Sequence, residues 1–284
     1  MQLVSKFAQK LMPAVLNEQQ AFFEAWLLIE KATGKKRVSL LAHNQVLTPS
    51  QVNQVEQWIV ERVEHKKPLA YILGNVPFGA ITLAIRHPIL VPRPETEEMA
   101  AWIIEQYRMR AQEPLVVLDL CTGSGCIALA LAHAFPAWKV IGVDSNPAAI
   151  ELADENRRAL KVENATFYQA SVFEEGVWRQ SCDLIVSNPP YINQSSRDLV
   201  SPEVLAWEDE KALFADDEGW AFYELLVKLA RLLVRPTSLS ISTLIFEFGA
   251  DQDSMEEFLL NRGCRSIEIH RDAAGIKRWA GSQV

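Results

Sequence analysis

The chain has 284 residues, 49% of them hydrophobic and 23% charged, the profile of a soluble globular protein with apolar material for one large domain or two smaller ones. No apolar run approaches the roughly 20 residues a bilayer span needs, and the N-terminal MQLVSKFAQKLMPAVL lacks an apolar signal core and a small-residue cleavage site, so neither membrane anchoring nor export is expected. The net charge of −8 divides into +3 over residues 1–70 and −11 over the remainder, the reverse of the basic stripe that grips duplex nucleic acid.

The opening segment is amphipathic and carries no acid before Glu18, as an organelle-targeting leader would; the absence of Arg and the continuing pattern favour a plain helix. The first 70 residues read as all-helical. Thr48-Pro49-Ser50-Gln51 is a compact helix start, with Thr48 as N-cap, Pro49 at the first helical position and Gln51 three residues after the cap. Val52, Val55, Ile59 and Val63 follow as one apolar stripe, and Phe22, Phe23, Trp26 and Leu27 form an earlier cluster expected in the core. Residues 71–92 turn to β-type content, with turn signals at Gly74-Asn75 and Gly79-Ala80 that predict a linking hairpin. The Glu95-Thr96-Glu97-Glu98 run after Pro94 reads as an acidic first helical turn matched to the helix dipole.

From Leu115 onward, strands predicted at 115–120, 139–143, 182–186 and 239–246, with a weaker one at 166–169, alternate with helices near 126–134, 147–161, 219–234 and 252–262. Such alternation predicts an α/β fold, a parallel sheet with helices on both faces. Two late stretches, 267–270 and 276–280, could add an edge hairpin. The cysteines (Cys121, Cys126, Cys182, Cys264) lie in apolar segments without metal-ligand spacing, so a reduced, cytoplasmic protein with no metal is expected.

VVLDLCTGSGCIALALA (116–132) reads as strand, glycine turn and helix. Gly123 and Gly125 tolerate positive φ and add no Cβ, so the backbone can approach a ligand closely. Asp144 lies 19 residues beyond Gly125, where a carboxylate accepts hydrogen bonds from ribose hydroxyls. The pattern supports an adenosine-containing cofactor without choosing between NAD and S-adenosylmethionine. Asp119 favours the second, because a carboxylate there repels a pyrophosphate and attracts a sulfonium and an amino group. The alternative role for Asp119 is an N-cap-like residue that holds the glycine turn.

DLIVSNPPYI (183–192) is a buried-type strand stopped by Asn188-Pro189-Pro190-Tyr191. An Asn-Pro turn can be a plain strand terminator. At the carboxyl end of a strand beside the glycine turn, however, the loop faces the ligand. A planar NH₂ group is a poor nucleophile because its lone pair is conjugated. Asn188 Oδ1 and the Pro189 carbonyl could each accept one of its N–H groups, aim the nitrogen and stabilise the developing positive charge. The prolines remove competing donors, and Tyr191 offers a flat face to a planar amide or base.

The two motifs together resemble the class I methyltransferases that modify amide or exocyclic NH₂ groups. Over nearly its full length the chain resembles the HemK-type release-factor glutamine methyltransferases (the PrmC family). PLAYILGNVPFG (68–79), VPRPETE (91–97), DLCTGSGCIALALA (119–132), SNPPYI (187–192) and, less specifically, DAAGIKR (272–278) occur here in order behind a helical segment. The resemblance implies a Rossmann-like class I methyltransferase sheet over 93–284, a small N-terminal helical bundle over 1–70 that docks the partner, and a β-hairpin linker over 71–92. It implies S-adenosylmethionine as cofactor, with Cys121, Thr122, Gly123, Ser124 and Gly125 along its methionine end and Asp144 on the ribose. Ser171, Val172 and Phe173 would flank the adenine, and Asn188, Pro189, Pro190 and Tyr191 would hold the substrate. That substrate would be the glutamine of the Gly-Gly-Gln loop in a peptide-chain release factor, with no stable nucleic-acid binding.

The chain departs from the pattern at Ser171, where an acid is frequent, at Asp209, where Pro is frequent, and at Lys277, which replaces a common Asp. The rival readings are an adenine-N6 methyltransferase on DNA or RNA, a nicotinamide dehydrogenase resting on the glycine fingerprint alone, and a silent adaptor that binds a release factor without modifying it.

Overall fold

The computed structural model describes residues 2–43, 46–174, 180–236 and 241–284. Two compact units make up the chain, Met1–Asn75 with Ser201–Trp207, and Val76–Val200 with Glu208–Val284.

The first unit contains α1 (Gln2–Leu11), α2 (Glu18–Thr33), α3 (Arg37–Ala42), α4 (Pro49–Val63) and α5 (Leu69–Leu73). The start of α4 is the capping box read from the sequence, in which the Thr48 side chain accepts from Gln51 N and the Gln51 side chain accepts from Thr48 N. Trp26 is buried in the bundle core, but Phe22 and Phe23 of the same cluster are 37% and 61% exposed, contrary to the expectation that all would be core. A continuous apolar run on a helix must turn part of itself outward, because successive residues lie about 100° apart. Residues 71–73 form the end of α5 rather than strand, and Gly74 is its left-handed cap (φ 77°) instead of a hairpin turn. Residues 201–207, which include the helix Pro202–Trp207, contribute Glu203 to this unit.

Arg62 is buried, and it donates to Glu24 Oε2 at 3.0 Å and to Glu203 Oε2 at 2.7 Å. Removing one partner of a buried ion pair leaves an uncompensated charge in low dielectric. Arg62→Ala should therefore cost about 3–5 kcal/mol, seen as a lower urea midpoint, whereas an exposed control such as Lys6→Ala should be nearly silent.

The second unit begins at Val76, within β1 (Asn75–Phe78), which pairs with β2 (Ile81–Ala84) in a two-stranded hairpin and is followed by α6 (Pro94–Tyr107). Then come β3 (Val116–Leu120), α7 (Cys126–Ala134), β4 (Lys139–Asp144), α8 (Pro147–Leu160), β5 (Ala165–Gln169) and β6 (Leu184–Ser187). The short strands β7 (Ile192–Asn193) and β8 (Phe214–Ala215) flank the inserted helix α9 (Pro202–Trp207). The chain finishes with α10 (Ala221–Leu233), β9 (Leu244–Glu247), α11 (Met255–Asn261), β10 (Arg265–Arg271) and β11 (Lys277–Gln283). The large sheet has seven strands in the order β10-β11-β9-β6-β3-β4-β5. Strands β9, β6, β3, β4 and β5 are parallel, and β11 and β10 are antiparallel additions with β10 at the edge.

Strand alternation distributes the core to both faces. Val117, Val140, Leu184 and Ile245 pack with α6, α7 and the hairpin on one side. Leu118, Ile141, Ile185 and Leu244 pack with α10 and α11 on the other. The strand expected at 182–186 begins at Leu184, with Cys182 making an isolated bridge to Val234. Of the strand expected over 239–246, residues 239–240 lie outside the described residues and β9 runs from Leu244 to Glu247. No helix among the described residues is long and apolar enough to cross a membrane.

Candidate active site

The register of the parallel strands decides what meets at their carboxyl ends. Leu120 pairs with Ser187, so Cys121 and Asn188 leave adjacent strands side by side. Val143 pairs with Leu120, so the end of β4 brings Asp144 to the same rim. Asp144 in turn pairs with Gln169, which places residues 170–173 next along it. A cleft enclosing about 720 Å³, open solvent included, lies at this rim, and its lining includes Cys121, Gly123, Asp144, Val172, Asn188 and Pro190. Ser171 and Phe173 also line it, as do Asn146, Asp209 and Lys211. Ligands in open α/β sheets bind at this edge.

Asp119, Thr122, Ser124, Gly125, Pro189 and Tyr191 are not on that lining but behind it. Asp119 is fully buried, and its Oδ2 accepts from Thr122 Oγ1 at 2.6 Å and from Ala128 N at 3.1 Å. It therefore does hold the glycine turn, the alternative role read from the sequence. Its other oxygen, Oδ1, has no hydrogen-bond partner among the described residues. A buried carboxylate oxygen without a donor is costly. Burial first, and Asp144 more weakly, push the Asp119 carboxyl up to about 7, against the hydrogen bonds from Thr122 and Ala128. The orphaned oxygen is the feature that fits a cationic ligand.

Asp144 is less free than a ribose partner drawn from sequence alone. Its Oδ2 accepts from Gly123 N and its Oδ1 from Asn146 N, both at 2.9 Å, and burial chiefly raises its carboxyl above the usual range. Each oxygen keeps a lone pair for a further donor. Gly123 stands at φ 54°, and a Cβ there would meet nothing within 4 Å, so its backbone is open to the cleft.

The Asn188 amide is held in one sense. Its Nδ2 donates to Thr96 Oγ1 at 2.9 Å, and that hydroxyl donates to Glu247 Oε2 at 2.6 Å. The Tyr191 hydroxyl donates to Glu247 Oε1 at 3.2 Å. Neither Asn188 Oδ1 nor the Pro189 carbonyl takes a hydrogen bond from any described residue. The Tyr191 ring packs among the buried residues under α10, and a Cβ on Gly249 would stand 3.1 Å from its Cδ2. The open aromatic face expected from the sequence is thus not on the cleft lining, because the hydroxyl is tethered inward. Gly219 (φ 90°) supports the loop from behind, where a Cβ would come within 2.4 Å of the Tyr191 carbonyl oxygen.

The VPRPETE segment does more than cap a helix. Besides Thr96 on the Asn188 loop, Glu97 accepts from Gly79 N in the hairpin, Arg93 pairs with the buried Glu208, and Glu98 accepts from Ala273 N. Thr96, Glu247 and Asp209 are site residues that sequence reasoning missed. Glu247 was visible as a lone charge in the apolar run LIFEFG. Asp209, noted only as a departure, lines the cleft and accepts from Asn146 Nδ2 at 2.9 Å. No group of three or more His, Cys, Asp or Glu side chains placed to hold a metal occurs among the described residues.

Two families match the chain, the PrmC N-terminal domain over residues 2–74 and a methyltransferase domain over 112–233. A release factor glutamine methyltransferase of Geobacter sulfurreducens is 33% identical over 94% of this chain and 90% of its own. One of Thermodesulfovibrio yellowstonii is 30% identical over 85% of each. Among solved structures, the hMettl16 catalytic domain in complex with MAT2A 3'UTR hairpin 6 superposes with a TM-score of 0.53 at 12% identity, covering 83% of this chain and 82% of that one, a likeness of fold alone. With 30–33% identity to these relatives over most of its length and family matches in both its N-terminal and its central parts, the protein belongs to the family of release factor glutamine methyltransferases.

Proposed function

We propose that the chain transfers a methyl group from S-adenosylmethionine to the side-chain amide nitrogen of the glutamine in the Gly-Gly-Gln loop of a peptide-chain release factor. The observation that carries this reading is the Asn188 amide, tied down through its nitrogen while its oxygen stays unengaged at a cleft rim. The bound cofactor supplies an electrophilic methyl carbon on a positively charged sulfur. Cys121 and Gly123 line its methionine end, backed by Thr122, Ser124 and Gly125, and the unpartnered Asp119 oxygen receives its cationic amino group. Asp144 takes the ribose, with Asp209 beside it, and Ser171, Val172 and Phe173 flank the adenine.

On the substrate side, Asn188 Oδ1 and the Pro189 carbonyl each accept one amide N–H. Two acceptors fix the rotation of a planar amide and point the nitrogen lone pair at the methyl carbon. They also stabilise the positive charge that grows on nitrogen as the new bond forms, which is electrostatic preorganisation. No base is needed before transfer, because the proton leaves the nitrogen afterwards to solvent. Pro190 and Tyr191 keep the loop stiff. The helical unit, with its positive balance, docks the release factor, and the reaction takes place in the cytoplasm.

Incubation with labelled cofactor and either a release factor or duplex DNA tests the assignment. Stoichiometric label on the release factor and none on DNA is the expected result. Label on adenine would favour the nucleic-acid reading, which the −11 balance over residues 71–284 opposes.

A further inference from the structure

We propose that Thr96 and Glu247 are positioning residues that set the polarity of Asn188, deciding which end of its amide faces the cleft. The inference rests on the reading of Asn188 above and adds the device that keeps it competent.

A threonine hydroxyl has one proton. An ionised Glu247 is an acceptor only, and it takes the Thr96 proton on Oε2 and the Tyr191 proton on Oε1. The Thr96 oxygen can then only accept, so the Asn188 group facing it must be Nδ2, as observed. Oδ1 is left for the substrate. Protonation of Glu247 on Oε2 reverses the chain of donors. The carboxyl then donates to Thr96, Thr96 donates to Asn188, and the amide must turn over to offer Oδ1 inward. Nitrogen and oxygen are nearly the same size, so the flip meets little steric resistance. The cleft would then present an N–H to a substrate N–H, a repulsive pairing.

The switch falls within reach of ordinary pH. Burial first pushes Glu247 up to about 7; Glu95 on α6 raises it further, while Thr96, Tyr191 on the loop and Arg278 on β11 lower it. Cys126 on α7 and Tyr223 on α10 also feel its charge, and burial raises both well above neutral, so neither adds charge there. Asp119 titrates in the same region, which the variants must separate.

The test compares kcat and KM against pH, at saturating cofactor, for the wild type, Thr96→Ser, Thr96→Val and Glu247→Gln. Wild-type kcat should fall tenfold per pH unit below about 7, the midpoint of Glu247. Thr96→Val should lose roughly a hundredfold in kcat, as for removal of one preorganised contact, and should lose that acid limb. Thr96→Ser keeps the hydroxyl and should restore the limb and most of kcat, and Glu247→Gln should give a flat, reduced profile. Calorimetry with S-adenosylhomocysteine verifies that each variant is folded. An acid limb that persists in Thr96→Val belongs to Asp119 and overturns the proposal, as does Thr96→Ser behaving like Thr96→Val.

A second readout does not need turnover. The ¹⁵N resonance of the Asn188 side-chain amide, identified by its loss in Asn188→Ala, should shift with a midpoint near that of Glu247 in the wild type and stay fixed in Glu247→Gln. A resonance that ignores pH in both proteins overturns the proposal even if methylation is normal. A clear titration without methylation of a release factor would instead count against the functional reading alone.

Discussion

Asn188→Ala is expected to lower kcat for glutamine methylation by about 10²–10³, at saturating cofactor and with the fold intact. Among the described residues the side chain makes one hydrogen bond, from Nδ2 to Thr96, and it lines the cleft with its oxygen unengaged. On the proposed reading, losing that oxygen removes one of two acceptors for the substrate amide while the Pro189 carbonyl remains, which is why residual activity should survive. Asn188→Asp sharpens the test. It retains an acceptor but cannot donate to Thr96, and it sets a second carboxylate behind the hydroxyl that already serves Glu247. It should be as impaired as the alanine variant. Single-turnover transfer to a release factor checks both, and a variant within threefold of wild type would show that Asn188 is only a strand terminator.

The second large effect concerns Asp119, where stability and binding should move in opposite directions. In the folded chain its carboxyl rises from 3.8 to about 7, with burial as the leading cause. A carboxyl raised by folding binds protons more tightly in the native state than in the unfolded one. Its contribution is therefore complete below about pH 4 and is lost as pH rises through about 7. The loss is on the order of 4 kcal/mol above pH 7, at about 1.4 kcal/mol per pKa unit. Asp119→Asn escapes it. The variant without cofactor should be more thermostable than wild type at pH 8 and closely similar at pH 4. On the proposed reading the same change also deletes the charge that receives the cofactor's amino group, so affinity should fall by about 10–150-fold, the equivalent of about 1.5–3 kcal/mol for a charged hydrogen bond. Scanning calorimetry at the two pH values and titration with S-adenosylhomocysteine measure the pair. A variant that binds as tightly as wild type would reduce Asp119 to a brace for the glycine turn.

Much of this was legible because it is local in sequence. The capping box at Thr48 and Gln51 spans three residues, and the strand–glycine turn–helix unit around Gly123 spans fewer than twenty, so spacing alone defined them. The rim position of Asn188 followed from a topological rule that places every loop after a parallel strand on one edge, that of Asp144 from its spacing to the glycine turn, and that of Cys121 from the family resemblance. What was not legible depended on partners far along the chain. Thr96 and Glu247 are 151 residues apart, and no periodicity links a helix's first turn to the end of a central strand. Phe22 and Phe23 were misplaced because composition marks a residue as apolar without saying which side of its helix is covered. Asp209 reads as a departure in an irregular segment, and only the folded loop brings it to Asn146.

In the proposed mechanism two oxygens, Asn188 Oδ1 and the Pro189 carbonyl, select an amide nitrogen as the methyl acceptor. The most direct measurement is fragmentation mass spectrometry of a release factor after reaction, beside a copy whose loop glutamine is replaced by glutamate. One methyl on the glutamine side-chain nitrogen, and none anywhere on the glutamate copy, is the predicted outcome. A methyl on the substituted carboxylate, or on another residue in both proteins, would contradict it.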